Sequence, residues 1–401
     1  MKICIVSEYY KPDNFLINEI TPELVKAGYE VTVLTGLPDY STGEIPKEYR
    51  CFRRRHEIID GVEVIRVPTI ARRKGFVFRI LNYLSFMLSS GVFSLFWGKK
   101  FDIVLTYQLS PITQVLAGKV IKWKQKAPHI IYCLDLWPAS VNAWGVRADS
   151  VLYKMVHALS KWAYKNADCI AVSSLPFIDY LVETNNVAKA AMIYLPQHSN
   201  RMNLAKTEAV KTSDVINLIF AGNIGAVQNV ECLIRAVAMV ETNREFLVHI
   251  YGDGSRFQEC KNLSKSLAAD SRIIFHGRIP RTRLDEIYPM MDGVLLTLAS
   301  ERTAGAIATT VPAKFQNYLS TGKPIIASID GGAADIIKQI KCGLVVPADE
   351  DVALAGIIKN FVENPSKYSQ CGERGVQYFN ENYTKEIFIK RLIDILEKSR
   401  R

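Results

Sequence analysis

Ile216-Asn-Leu-Ile-Phe-Ala-Gly-Asn-Ile-Gly225 is an apolar strand run that ends in a glycine turn. The unit recurs downstream, with Phe246–Tyr251 before Gly252-Asp-Gly254 and Ile273–His276 before Gly277, followed by the runs Gly293–Leu298, Pro324–Ser328 and Gly343–Val346. Strand runs separated by helix-period stretches imply βαβ crossovers and a parallel sheet. Upstream lies a second series: Lys2–Ser7, Glu30–Thr35, Val62–Val67, Ile103–Thr106, Ile130–Leu134 and Cys169–Ser173, with the helix-period stretch Ile20–Ala27 among them. Asp60-Gly61, between Ile58-Ile59 and Val62, adds one local antiparallel hairpin. The two series are joined by a polar stretch between Tyr194 and Asp214. The expected architecture is therefore α/β, with two Rossmann-like domains at 1–198 and 199–380. A ligand is expected in a cleft between them, because doubly wound sheets bind at the carboxyl ends of their strands. A last segment, 381–401, carries Ile387, Ile389, Leu392, Ile393 and Leu396 largely on one helical face. That face needs burial on either domain, a return to the first being one arrangement open to it.

The 401 residues are 49% hydrophobic and 22% charged, which excludes a disordered chain and suits about two domains. No repeat of solenoid period occurs. The net charge of +10 fits an anionic partner, whether nucleic acid, lipid surface or phosphorylated metabolite, and does not choose among them. The eight cysteines form no CxxC pair and read as buried free thiols of a reducing compartment. The six histidines show no metal-like spacing. Met-Lys-Ile-Cys-Ile-Val at the start lacks the hydrophobic core of a signal peptide, so a cytoplasmic protein is expected. Phe76 to Trp97 is nearly all apolar and follows Arg72-Arg73-Lys74. Its length would permit a transmembrane span. Arg79, Asn82 and a central Ser89-Ser90-Gly91 point instead to two shorter helices, buried or interfacial, and to a peripheral protein on the inner face of the cytoplasmic membrane.

The glycine turns let backbone amides approach a phosphate, yet none has the G-x-G-x-x-G spacing, and plain strand-to-helix turns explain each one singly. Thr309-Thr-Val-Pro-Ala-Lys-Phe-Gln-Asn-Tyr-Leu-Ser-Thr-Gly-Lys-Pro324 reads as a helix with Thr310 as N-cap, Pro312 in the first turn and Gly322 at its close. Its free amides suit a diphosphate, or the helix is simply capped. Asp135 follows the apolar run Ile130-Ile-Tyr-Cys-Leu, where a carboxylate needs partners, and either binds substrate or anchors the turn Leu136-Trp137-Pro138. Glu8 and Glu19 read as cleft carboxylates on the edge of this domain's sheet, with a solvated Glu19 as the alternative.

Ile250-Tyr-Gly-Asp-Gly-Ser, Ile274-Phe-His-Gly-Arg-Ile-Pro and Val311-Pro-Ala-Lys-Phe-Gln-Asn-Tyr-Leu-Ser-Thr-Gly-Lys-Pro-Ile-Ile-Ala327 occur in the order used by the family 4 retaining glycosyltransferases, which the chain resembles over nearly its whole length. In the first half, Val6-Ser-Glu-Tyr-Tyr-Lys-Pro-Asp-Asn-Phe15, Val33-Leu-Thr-Gly-Leu-Pro-Asp-Tyr40, Asn82-Tyr-Leu-Ser-Phe86 and Asp135-Leu-Trp-Pro-Ala-Ser140 are similar to the branch building capsule and O-antigen units, including N-acetyl-fucosamine transferases. The resemblance implies the GT-B fold and a nucleotide-sugar donor on the second domain, at Gly222, Asn223, Gly225, Gln228, Gly252, Arg278, Thr309, Thr310, Val311, Lys314 and Asn317. It implies an acceptor on the first domain at Asn14, Phe15 and Glu19, with Asp135 as the catalytic carboxylate. Departures from the family pattern are informative. Its two glutamates become Thr309 and Asn317, its diphosphate-binding arginine and lysine become Asn223 and Gln228, and its histidine is Leu134, beside Asp135. Asn317 can still hydrogen-bond a ribose, and Lys314 or Arg278 can supply the missing charge.

The reaction so implied is domain closure around donor and acceptor, with same-face attack and the leaving phosphate taking the acceptor proton. No metal or other cofactor is called for. UDP is the expected nucleotide, an N-acetylated 6-deoxy hexosamine the expected sugar, and a polyprenyl-diphosphate saccharide the expected acceptor, met at an anionic membrane surface and without nucleic acid as partner. Two alternatives are a GT-B sugar-nucleotide epimerase and a noncatalytic lipid-bound scaffold.

Overall fold

The computed structural model describes residues 1–199, 214–300 and 311–400. Two compact units emerge: Met1–Leu195 with Phe388–Arg401, and Pro196–Ile387. The chain thus passes from one unit to the other three residues before the expected 198/199 boundary.

The first unit is built on eight strands: β1 (Lys2–Val6), β2 (Glu30–Thr35), β3 (His56–Ile59), β4 (Val62–Arg66), β5 (Ile103–Gln108), β6 (His129–Cys133), β7 (Cys169–Val172) and β8 (Met192–Tyr194). They are ordered β3-β4-β2-β1-β5-β6-β7-β8. All pairs are parallel except β3 with β4, the hairpin at Asp60-Gly61. Side chains alternate across a strand, and β1 shows the result. Ile3 and Ile5 enter one core with Ile17, Ile20 and Leu24 of α1 (Ile17–Lys26) and with Phe388, Leu392 and Leu396. Cys4 and Val6 enter the other with Phe86, Ala117 and Ile121.

Phe86 lies in α2 (Phe76–Phe96), and Ala117 and Ile121 lie in α3 (Val115–Gln125). The two shorter helices expected over 76–97 are in fact this one helix of 21 residues. Ser90 turns its hydroxyl back to the Phe86 carbonyl at 2.6 Å. A Cβ on Gly91 would lie 3.1 Å from the Leu116 side chain. The small residues that read as a break let α3 approach closely. Then α4 (Val151–Tyr164) and α5 (Pro176–Asn185) follow β6 and β7.

The second unit holds β9 (Ile216–Ala221), β10 (Phe246–Tyr251), β11 (Ile273–Gly277), β12 (Gly293–Thr297), β13 (Ile325–Ser328) and β14 (Gly343–Val346), all parallel, in the order β11-β10-β9-β12-β13-β14. Leu218 and Phe220 of β9 face α6 (Val230–Met239), while Ile219 and Ala221 face Phe315, Tyr318 and Leu319. The chain departs in both directions from β9, so the sheet has its topological switch between β9 and β12. Among the described residues the remaining α-helices are α7 (Phe257–Ser266), α8 (Arg281–Ile287), α9 (Ala313–Leu319), α10 (Gly331–Ile340), α11 (Asp351–Glu363), α12 (Ser369–Asn382) and α13 (Lys385–Arg400).

Candidate functional site

The glycine turns after β9, β10 and β11 meet at one end of the second sheet. Backbone hydrogen bonds continue past the strands, Gly222 to Tyr251 at 2.8 Å, Gly252 to Gly277 at 2.9 Å and Ile224 to Asp253 at 2.9 Å. This close stacking explains the glycines. Gly252 has φ +149°, and a Cβ there would lie 1.8 Å from the Gly222 carbonyl oxygen. Beside these turns opens a cavity of about 480 Å³, lined by Gly222, Asn223, Tyr251, Gly252, Arg278 and Leu284, with Asp253, Gly254 and Ile279. That volume suits a small ligand held against backbone amides at strand ends. Tyr251 stacks on His276 with centroids 4.2 Å apart, stiffening one wall.

Of the expected donor residues, Gly222, Asn223, Gly252 and Arg278 line this cavity. Asn223 spends its amide on Gln228 Oε1 at 2.9 Å, so these two neutral replacements first satisfy each other. Gly225 sits between them, and a Cβ there would crowd Asn223 Nδ2 at 2.9 Å. Val311 packs on the core beneath α9. Thr309 and Thr310 lie outside the described residues. The expectation of Thr310 as N-cap is corrected, because α9 begins at Ala313 with extended Pro312 in the capping position. Pro312 brings no amide hydrogen and no side-chain oxygen, so the helix start has no side-chain cap.

Lys314 on α9 turns inward. Its Nζ lies 3.6 Å from the centroid of the Phe220 ring and is buried with no hydrogen-bond acceptor among the described residues. It occupies the space that a Cβ on Gly222 would need, 2.7 Å away. Burial alone lowers its pKa to about 7. An anion bound in the neighbouring cavity would favour the charged ammonium that burial disfavours. Asn317, further along α9, accepts from Ser199 Oγ at 2.6 Å and from Arg281 at 3.2 Å. Arg281 escaped the sequence reading, although it stands three residues beyond Arg278 and opens α8.

In the first unit the carboxyl ends of β1 and β2 carry an aromatic group. Phe15 stacks on Tyr9 at 5.3 Å and meets Tyr40 edge-on at 4.8 Å. Arg72 lies over Tyr40 at 4.5 Å, with Nη1 3.3 Å from the Tyr9 hydroxyl. The residue that opened the basic cluster of the sequence is therefore held inside this group. Asp13 accepts from the amides of Asp39, Tyr40 and Ser41, tying the two strand-end loops together. Asn14 is exposed and Glu19 half-buried in the first turn of α1. Glu8 lies within the structure, 2% exposed, with neither carboxylate oxygen hydrogen-bonded. Burial, then the neighbouring Asp39, pushes its pKa well up, and burial raises Asp39 to about 6.

Asp135 comes two residues after β6. Its two oxygens accept from the hydroxyls of Ser110 and Ser140, and its carbonyl accepts from Gln108 Nε2 at 3.0 Å. Burial raises its pKa, with the two serines pulling it back. The anchoring role read from the sequence is present in these contacts, and Ser110, 25 residues distant, could not be foreseen from the strand itself. Among the described residues no three His, Cys, Asp or Glu side chains gather as metal ligands.

The Probable glycosyltransferase WbjE of Pseudomonas aeruginosa is 24% identical over 331 residues, covering 76% of this chain and 79% of that protein. Sucrose-phosphate synthase of Thermosynechococcus elongatus superposes with a TM-score of 0.75 at 15% identity, over 99% of this chain and 98% of that one. Anabaena HepE in complex with UDP gives 0.71 at 12% identity, over 99% and 100%. These two structures share the GT-B fold of paired Rossmann-like domains. Residues 16–197 match the model "Glycosyl transferase 4-like domain" and residues 204–378 match "Glycosyl transferases group 1". With its two sheets each accounted for by one of these matches, the chain belongs to the group 1 glycosyltransferases of GT-B fold.

Proposed function

We propose that the chain is a retaining glycosyltransferase that takes a sugar from a UDP-linked donor and passes it to a polyprenyl-diphosphate-linked saccharide in capsule or O-antigen assembly. The observation that carries the donor half is the cavity at the ends of β9, β10 and β11, with Lys314 Nζ buried and unpaired against Gly222. A diphosphate against these turns gives Lys314 the acceptor it lacks, and the lysine ammonium takes the place of the positive charge lost at Asn223 and Gln228. Arg278 on the cavity wall adds a second cation. The likeness to a chain solved with UDP supports the choice of base. The donor sugar, an N-acetylated 6-deoxy hexosamine, rests on the sequence resemblance.

The acceptor is assigned to the first unit, at Asn14, Phe15 and Glu19 beside the Tyr9 and Tyr40 rings, with Asp135 as its carboxylate. An aromatic platform with nearby carboxyls suits a saccharide, whose C–H faces stack on rings and whose hydroxyls find acceptors. Retention follows if the acceptor oxygen attacks from the face the nucleotide leaves, its proton passing to the departing diphosphate, and no metal is assigned to this scheme. The chain is placed in the cytoplasm, at the inner membrane face where such acceptors are made.

A donor screen read by mass spectrometry, with a polyprenyl-diphosphate N-acetylated sugar as acceptor, tests the assignment. Nucleotide release that depends on the lipid acceptor, with the acceptor gaining one sugar mass, is expected. Release or epimerisation without acceptor would replace the reading by the epimerase, and absence of both donor binding and turnover by the scaffold.

A further inference from the structure

The polarity of α2 is inverted. Val77, Leu81, Leu84, Leu88, Val92 and Leu95 are all exposed, between 39% and 65%. Their spacings of four, three, four, four and three residues set them on one face, as a stripe about 27 Å long. The opposite face, which packs inward, is where the polar and small residues are. Asn82, Ser90, Gly91 and Ser94 are buried, together with Tyr83 and Phe86. Asn82 donates to the Asp39 carboxylate at 2.8 Å and to the Ile70 carbonyl at 2.7 Å. A helix covered by water carries its apolar side chains inward; here only 28% of the most apolar window is buried.

The surroundings favour one occupant. From Arg72 to Lys126 the sequence has ten lysines and arginines (Arg72, Arg73, Lys74, Arg79, Lys99, Lys100, Lys119, Lys122, Lys124, Lys126) and one acid, Asp102. Arg73 and Lys74 are exposed before the N-terminal end of the stripe, and Lys100 is exposed beyond its C-terminal end. Beside α2, Trp123 of α3 is 68% exposed, and Lys124 reaches the last turn of α2, donating to the Leu95 carbonyl at 2.7 Å. Trp162 of α4 is 45% exposed under Lys119. Leucine and valine flanked by tryptophan and lysine match the boundary between acyl chains and anionic headgroups.

We infer that α2 lies in the plane of an anionic bilayer, with its leucine and valine stripe among the acyl chains and its Asn82–Phe86–Ser90 face still packed in the first unit. A helix of 21 residues is long enough to cross. Crossing would pull Phe86 out of the core it shares with Val6, Val104 and Ile121, and would break both Asn82 bonds. The inference stands on α2 and its neighbours in the first unit, without the donor site. Its consequence, that the first unit meets a lipid-linked acceptor without extracting it, rests on the proposed function.

Flotation of the full chain with vesicles of phosphatidylglycerol and phosphatidylethanolamine, against vesicles of phosphatidylcholine, tests it without any donor. Wild type should float with the anionic vesicles, bind the neutral ones more weakly, and keep part of its binding in 0.5 M salt. Leu84→Gln, Leu88→Gln and Val92→Gln together should weaken partitioning at least tenfold with an unchanged circular dichroism spectrum. Arg73→Glu, Lys74→Glu and Lys100→Glu, outside the stripe, should weaken it too and give a second reading if the first variant misfolds. Failure of wild type to float, or stripe variants that float like wild type, would overturn the inference. So would a carbonate-resistant, protease-protected α2, which means crossing, or self-association without vesicle binding that the stripe variant abolishes, which means a second copy of the chain.

Discussion

Lys314 and Asp135 illustrate what burial does to a single charge. Desolvation holds Lys314 near pKa 7, so above that pH the free protein must take up a proton to present an ammonium to the donor diphosphate. UDP affinity should therefore fall as pH climbs from 7 to 9, and calorimetry at pH 8.5 in buffers of differing ionisation enthalpy should show proton uptake. Lys314→Gln should bind UDP about 10–100-fold more weakly at pH 6.5, the worth of a charged hydrogen bond, and lose the uptake. Uptake persisting in that variant would take Lys314 out of the site. The same depressed pKa works on stability: from pH 7 towards the ordinary lysine range the unfolded chain binds the extra proton, so the second unit gains stability as pH rises. Asp135 is raised rather than lowered, and Asn keeps its shape for the Ser110 and Ser140 hydroxyls. Asp135→Asn should lower turnover at least about 100-fold, the scale of a lost acid or base, with the melting temperature nearly unchanged. Near-normal turnover would leave Asp135 as an anchor only.

At the scale of elements, the turns after β9 and β10 act as one piece. Gly252→Ala places a methyl group 1.8 Å from the Gly222 carbonyl oxygen at φ +149°, so one loop or the other must move. Overpacking and backbone strain together should cost about 2–6 kcal/mol, seen as a lower melting temperature and lost UDP binding. Gly356 in α11 is the control, since a Cβ there meets nothing within 4 Å. Gly356→Ala should stabilise by about 0.5–1 kcal/mol, as expected for alanine in a helix interior. A Gly252→Ala protein as stable as wild type and binding UDP normally would show that the two turns do not constrain each other. The glycines themselves were plain in the sequence. Their reason was not, because Gly222 and Gly252 are 30 residues apart and only strand pairing puts one carbonyl against the other's Cα.

For the whole molecule, the last helix decides how the first unit is closed. Phe388, Leu392, Ile395 and Leu396 are buried in the core of β1, β5 and α1, on the face opposite α2 and α3. A chain ending at Ile387 would leave that face open, at about 1.5–3 kcal/mol for each large side chain withdrawn. Limited proteolysis should then cut first within Met1–Leu195 while Pro196–Ile387 stays protected; equal protection of both would refute the role given to α13. The locally encoded features were legible in the order of the amino acids. Period-two and period-3.6 patterns separated by glycine turns specify strands, helices and two parallel sheets, because those periods follow from backbone geometry. The motif residues came with the same pattern, since strand ends are where glycines and polar groups cluster. Tertiary structure alone decided which of them meet. It paired Asn223 with Gln228, drew Arg72 in among the tyrosines, buried Glu8, and turned the polar face of α2 inward, leaving its leucines exposed. A single helix reads the same with either face turned to the core; the neighbours that choose, β1, α3 and the Asp39 loop, are far away in the chain.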